Sequence, residues 1–334
     1  MRISFLIIKD YRQYHSLSSG PIGLAYLSAA AKARFPDLDI SIEVDPNRIL
    51  KAKPDLIGVS AFTETYSQSI EAAQEFKKHL KVPIWVGGPH INALPLTMAN
   101  CFDIGAIGES EQTFVELLTL FRQRKLHPKE LEKVPGIVYW DQGQRKLTLP
   151  RDPIQNLDAI ISPDRSIMKT YWPPLNQIIE WPQPIYTSRG CPFKCVFCIY
   201  SMETQKVRYH SPERVVTEIE EIVRRYPHQE KITIHDDLFT LSKKRLKELV
   251  DAIREAKLHK KVAFICMAKA SVFDEEMAWL LRRMNVSIMT FGFESGVQRL
   301  LEYLKGSRCK VEENVRAIQV CDKYGIRVGG YFII

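Results

Sequence analysis

Residues 184–198 read Pro-Ile-Tyr-Thr-Ser-Arg-Gly-Cys-Pro-Phe-Lys-Cys-Val-Phe-Cys. The apolar start, Pro184–Ser188, predicts a short strand. Directly after it three cysteines, Cys191, Cys195 and Cys198, stand in the spacing C-x3-C-x2-C. Thiolates are soft ligands suited to iron–sulfur clusters or zinc. Structural zinc takes four protein ligands as a rule. Three cysteines in one loop would leave one iron of a [4Fe–4S] cluster without a protein thiolate, open to a substrate or a chelating cofactor. A zinc site that borrows His210, or three unrelated free thiols, are the other readings of the same residues.

Downstream of the cysteines, strands and helices alternate. Strands are predicted at Lys231–His235, Val262–Met267, Ser287–Phe293 and Arg327–Ile334. Helices are predicted between them at Pro212–Arg225, Lys243–Glu255, Glu275–Met284, Gly296–Leu304 and Val311–Tyr324. In the first of these helices Val215, Val216, Ile219, Ile222 and Val223 share one face. Ser211 reads as its N-cap, with Pro212 at the first helical position. Five strands in repeated βα units form part of an α/β barrel. Upstream, residues 1–124 alternate in the same way: strands at Arg2–Ile8, Ile40–Val44, Asp55–Phe62, Pro83–Gly88 and Ile104–Gly108, helices at Pro21–Arg34, Ser67–Leu80 and Glu111–Arg122. That pattern predicts a Rossmann-like, doubly wound parallel sheet, whose ligands lie beyond the C-terminal strand ends. Residues 125–183 are rich in Pro and polar residues and read as a linker with a small β hairpin around Asp141–Gln144.

The 334 residues suggest two domains. No run of about 18 apolar residues is present, so no membrane span is expected. The formal net charge of +8 is spread without a basic run or an aromatic-interleaved stripe, so nucleic acid is not implied as a partner. Seven cysteines without a secretory signal argue against a disulfide framework and for a reducing, cytoplasmic setting.

Cys191, Cys195 and Cys198, with Phe197 before the last, resemble the radical S-adenosylmethionine (SAM) family motif. The resemblance implies a [4Fe–4S] cluster that chelates SAM and cleaves it reductively to a 5′-deoxyadenosyl radical, on a partial or full α/β barrel. It implies SAM contacts from Phe197 and from the later strand ends: Asp236 of His235-Asp236-Asp237, Lys269, and Glu294 with Ser295 of Gly292-Phe293-Glu294-Ser295-Gly296. The segments PIGLAYLSAAA, DLIGVSAF, WVGGPHINALP and GESEQTFVELL resemble the cobalamin-binding domain that precedes the barrel in part of this family. There Ser60, Gly87 and Gly88 match positions used for the cobalamin nucleotide tail, and the loop from Lys9 to Ser19 would lie under or beside the corrin. The D-x-H-x-x-G motif of other cobalamin enzymes is missing, since Asp10 and His15 stand five apart, so His15 is not assigned to cobalt.

Together these imply an N-terminal cobalamin-binding-type domain (1–124), a linker (125–183) and a radical SAM barrel (184–334). The expected reaction is methyl transfer to an unactivated carbon of a small molecule or peptide, fed by an external one-electron reductant of flavodoxin or ferredoxin type. The rivals are a radical SAM enzyme without cobalamin and a non-catalytic zinc or iron–sulfur protein. Relatives continue beyond a strand like Gly330–Ile334, so the resemblance also implies a barrel incomplete after its fifth strand, by truncation or by completion from a partner.

Overall fold

In the computed structural model, residues 1–8, 20–170, 183–199 and 206–334 are described. The Lys9–Ser19 loop, with Asp10 and His15, lies outside them, as do residues 171–182 of the expected linker. The chain divides into two compact units. The first holds Met1–Ile154 and the described residues from Ile160 to 170. The second holds Gln155–Ala159 and the described residues from Gln183 to Ile334.

The first unit is built on a seven-stranded sheet in the order β2-β1-β3-β4-β5-β6-β7. Strands β1 (Arg2–Ile7), β2 (Asp39–Glu43), β3 (Leu56–Ser60), β4 (Ile84–Gly87) and β5 (Ile104–Ala106) are parallel. Buried on both faces, β1 and β3 are mostly apolar, Ile3–Ile7 interrupted only by the buried Ser4 and Leu56–Val59 without a polar residue. Helices α1 (Ile22–Arg34), α2 (Pro46–Ala52), α3 (Tyr66–His79), α4 (Pro89–Ala93) and α5 (Glu111–Arg122) connect the strands.

The segment read as a linker is divided between the units. After the short α6 (Pro128–Leu131), the expected hairpin forms as β6 (Ile137–Asp141) and β7 (Gln144–Leu147), antiparallel to each other. It is no separate element, because β6 pairs antiparallel with β5 and extends the first sheet. Ile137, Val138 and Tyr139 are buried on both faces, and Trp140 Nε1 donates to the Phe102 carbonyl at 2.9 Å. Further on, Asp164 accepts from Ser28 Oγ at 2.9 Å and from Lys32 Nζ at 2.7 Å, which ties residues 160–170 to α1.

The second unit has a five-stranded, all-parallel sheet, β14-β13-β12-β11-β8. Its strands are β8 (Gln183–Ile185), β11 (Lys231–Ile234), β12 (Ala263–Ala268), β13 (Val286–Glu294) and β14 (Arg327–Phe332). Between them run α7 (Pro212–Arg225), α8 (Lys243–Glu255), α9 (Glu275–Met284), α10 (Gln298–Lys305) and α11 (Val311–Lys323). Ile232, Ile234, Phe264, Cys266, Met289 and Phe291 face the helices and are fully buried. The alternating Thr233, Ile265, Met267 and Thr290 are only partly buried and form the opposite face. Ser211 caps its helix as the sequence put it, its Oγ accepting from Arg214 N at 3.2 Å; Asp274, not marked in the sequence, does the same for Met277 N at 3.0 Å. A two-stranded ribbon of β9 (Ser188–Arg189) and β10 (Arg208–Tyr209) follows the C-terminal end of β8.

Candidate active site

Beyond β8 the chain enters the cysteine loop through Gly190, whose φ of +97° requires glycine. The Gly190 amide donates to Asp237 Oδ2 at 3.0 Å, so the C-terminal end of β11 holds the entry to the loop. On the other side the Val196 amide donates to the Leu304 carbonyl at 3.0 Å, so the end of α10 holds its middle. Between these anchors the thiols of Cys191, Cys195 and Cys198 are half-buried and in no disulfide. Burial pushes the Cys191 thiol up, and Asp237 and the other two thiols push it the same way. Burial also pushes Cys195 up, against the positive charges of Lys269 and Lys305.

Among the described residues no three His, Cys, Asp or Glu side chains converge on a point that would hold one metal ion. A tetrahedral zinc site needs such convergence. A four-iron cluster does not, because each thiolate takes a different iron at a different corner. Three half-buried thiols on one anchored loop are the donor set that a four-iron cluster with one open iron would take. His210, the expected fourth ligand of the zinc reading, is instead buried with its Nδ1 3.1 Å from Asp158 Oδ1.

The other strand ends give mixed results. Asp236 does not present its carboxylate to a ligand, contrary to the sequence-based expectation. It is completely buried, and Oδ1 accepts from the amides of Thr187 (2.6 Å) and Ser188 (3.0 Å). Oδ2 accepts from the hydroxyls of the same two residues, at 2.5 and 2.7 Å. Burial pushes this carboxyl above the ordinary carboxylate range, opposed by the four donors. Its function is to fix the turn that launches the cysteine loop. Nothing local in the sequence marks this, because Thr187 and Ser188 lie almost fifty residues away.

Lys269 does reach the loop. It is buried, and its Nζ lies 3.5 Å from the centre of the Phe193 ring. Phe197 is half-exposed. Glu294 is buried at the end of β13 with φ of +60°, a left-handed conformation unusual for a residue with a side chain. Its Oε1 is 3.4 Å from Lys305 Nζ, and that ammonium donates to the Gly292 carbonyl at 2.5 Å. A Cβ on Gly292 would collide with the Glu294 carboxylate, so the glycine makes this arrangement possible. Ser295 Oγ accepts from the Val297 amide at 3.1 Å and shapes the entry to α10. Lys305 escaped the sequence reading, since a lysine in the last turn of a helix is ordinary dipole pairing.

Beside the β9–β10 ribbon, burial pulls His210 down from its ordinary 6.5 to about 4, more than Asp158 pulls it up. Asp158 is held below its usual range by Ser211 and His210, although burial opposes this. The folded ring thus stays neutral where an unfolded one is protonated. Stability associated with His210 is complete above pH 6.5 and declines as pH falls toward 4, by about 3 kcal/mol. Denaturant unfolding at pH 7 and pH 4.5 should show this loss, and His210→Gln should make the pH dependence shallower.

In the first unit, Ser60 ends β3 and Gly87 ends β4, side by side in the parallel register. Gly88 has φ of +96°, and a Cβ there would stand 2.9 Å from the Ala61 carbonyl and 3.2 Å from Ser60 Oγ. Gly88 is thus required by the turn itself. A Cβ on Gly87 would meet only ordinary contact, and one on Gly108 would meet nothing within 4 Å. A half-buried hydroxyl beside glycine-lined strand ends fits a ligand whose tail passes close to the backbone. His90 is not available as a ligand. Its ring is stacked on Tyr66 at 3.7 Å, with Nδ1 on Thr63 Oγ1 and Nε2 on Thr97 Oγ1, at 3.2 and 3.0 Å.

Residues 185–334 match the Radical SAM superfamily, and residues 16–118 match the B12 binding domain. An uncharacterized methyltransferase of Pyrococcus horikoshii is 31% identical over 94% of this chain and 69% of its own length. An anaerobic magnesium-protoporphyrin IX monomethyl ester cyclase of Rubrivivax gelatinosus is 27% identical over the whole of this chain, which spans 62% of that protein. The solved structure of the cobalamin-dependent SAM radical enzyme OxsB, with aqua-cobalamin and SAM bound, superposes with a TM-score of 0.79 at 19% identity. That match covers 99% of this chain and 49% of OxsB, a likeness of fold. The two domain matches in this order, with the Pyrococcus relative aligned over 94% of the chain, place the chain in the radical SAM superfamily, among the members that carry a B12-binding domain ahead of the radical SAM domain.

Proposed function

We propose that the protein is a cobalamin-dependent radical SAM methyltransferase acting on an unactivated carbon of a small molecule or peptide. The observation that carries the reading is the anchored loop of three half-buried thiols flanked by Lys269 and by the Glu294–Lys305 pair. The cluster supplies an electron that cleaves SAM to a 5′-deoxyadenosyl radical, and cobalamin supplies a carrier for the methyl group.

The chain's own residues bind and orient. Cys191, Cys195 and Cys198 hold three irons. Lys269 neutralises the SAM carboxylate, and Glu294 with Ser295 meets the ribose or methionine part. Asp236 and Asp237 hold the loop in shape through backbone amides. Ser60, Gly87 and Gly88 receive the cobalamin tail. The electron comes from a small flavodoxin- or ferredoxin-type donor. The compartment in this reading is a reducing one, the cytoplasm, where a thiolate-ligated cluster is retained. No helix among the described residues is long and apolar enough to cross a membrane.

Anaerobic incubation of the reconstituted protein with SAM, cobalamin and a reductant tests the reading. Both 5′-deoxyadenosine and S-adenosylhomocysteine are expected. 5′-Deoxyadenosine alone would replace methyl transfer by another radical reaction, such as the cyclisation named for the Rubrivivax relative. Neither product would overturn the proposal.

A further inference from the structure

We propose that Lys305 is a positioning residue of the radical centre: a buried cation that holds the Glu294 carboxylate and raises the reduction potential of the cluster bound at Cys195. The inference rests on the cluster reading above and adds a residue to it. Four observations converge on this side chain. It is nearly buried, with side-chain exposures of 9% for Lys305 and 10% for Glu294, so solvent screens the pair little. Its ammonium is fixed by the Gly292 carbonyl at 2.5 Å and the Glu294 carboxylate at 3.4 Å. The residue before it, Leu304, accepts the Val196 amide, so the same turn of α10 is hydrogen-bonded to the cysteine loop one residue past Cys195. Cys195 itself is half-buried in that loop, next to the anchored Val196 amide.

A structural salt bridge accounts for the Glu294 contact alone. It does not account for the direct link between this turn and the loop, nor for a buried cation on the turn that carries that link. Reduction adds one negative charge to a cluster that already carries thiolates, and a fixed buried cation favours the reduced form. Glu294 offsets part of that charge while oriented by it. The same residue therefore couples the Glu294 carboxylate to the electron-accepting centre.

Lys305→Gln keeps a donor for the Gly292 carbonyl and removes the charge. Lys305→Arg keeps the charge. Each is reconstituted anaerobically, its iron is counted, and cluster reduction is followed by electron paramagnetic resonance as the solution potential is lowered. Thermal melts of the iron-free proteins run in parallel. Lys305→Gln is expected to keep its iron and to shift the reduction equilibrium about tenfold toward the oxidised cluster, about 59 mV for one electron. Lys305→Arg is expected to restore most of that shift, whatever either change does to the melting temperature.

A full iron complement in Lys305→Gln with an equilibrium within twofold of the unaltered protein would overturn the proposal. So would loss of the cluster from both variants. If only Lys305→Gln loses iron, the cation serves to retain the cluster, and the claim on its potential is overturned. An unaltered protein that takes up no iron would refute the cluster reading and this inference together, an outcome distinct from bound iron with an unmoved potential.

Discussion

Alanine at Cys195 is expected to strip the protein of its iron–sulfur absorbance and to take 5′-deoxyadenosine formation to the assay background. The three thiols are supplied by one loop, and no other cysteine sits in it. Removing one leaves two ligands on a cluster that would already have an open iron. The loss should far exceed the roughly 10- to 100-fold that follows removal of an outer partner of a metal ligand. Cys195 is the most informative of the three, because the Val196 amide beside it is anchored to α10 and the loop keeps that support in the variant. Cys321 serves as the control: it is buried against the helices of the second unit, and Cys321→Ala should leave the iron count alone and cost only packing stability. Iron analysis with an anaerobic visible spectrum decides it. A Cys195→Ala protein with an undiminished spectrum would refute the assignment of the loop.

A second large effect is expected at Asp236, and it separates two roles. Asp236→Ala leaves two backbone amides and two hydroxyls without their acceptor in a site closed to water. The hydroxyls can rotate to other partners and the amides cannot. At about 1–3 kcal/mol for each stranded buried donor, the loss comes to roughly 3–5 kcal/mol. For a unit of this size that is about 10 °C in melting temperature. Asp236→Asn keeps the shape and half of the accepting capacity and should lose less. If Asp236 instead bound SAM directly, Asp236→Ala would melt like the unaltered protein and differ only in SAM affinity. Calorimetry on the iron-free protein distinguishes the two.

The three cysteines were legible because their chemistry is local: spacing within one loop states a ligand set without reference to the rest of the chain. The strands were legible for a related reason. Leu56–Val59 is an apolar run buried on both faces, and Ala263–Ala268 is an apolar strand buried on one, and each leaves its mark on the sequence. What failed to show depends on contacts between distant positions. Asp236 and Glu294 stand alike at strand ends, yet one is consumed by Thr187 and Ser188 and the other pairs with Lys305. No pattern along the chain distinguishes them. The Pro-rich stretch after residue 125 reads as a linker by composition, whereas β6 is buried because β5 offers it an edge. Histidine is the reverse case. His90 and His210 attract attention as potential ligands, and both are held by neighbouring oxygen atoms.

The order in which the chain visits its two units has a consequence for modularity. Asp158, which receives the Ser211 amide and the His210 ring, belongs to the second unit, although residues 160–170 after it return to the first. The two halves are therefore interleaved, and no single cut separates them cleanly. A barrel expressed from Gln183 onward would begin life with the amide at the head of α7 and a buried histidine both lacking their acceptor. Exchange of this barrel between relatives by one crossover would strand the same carboxylate on the wrong side of the join. The gene can be recombined here only by carrying residues 155–159 along with the barrel they complete, so the unit of inheritance is a discontinuous stretch of the sequence.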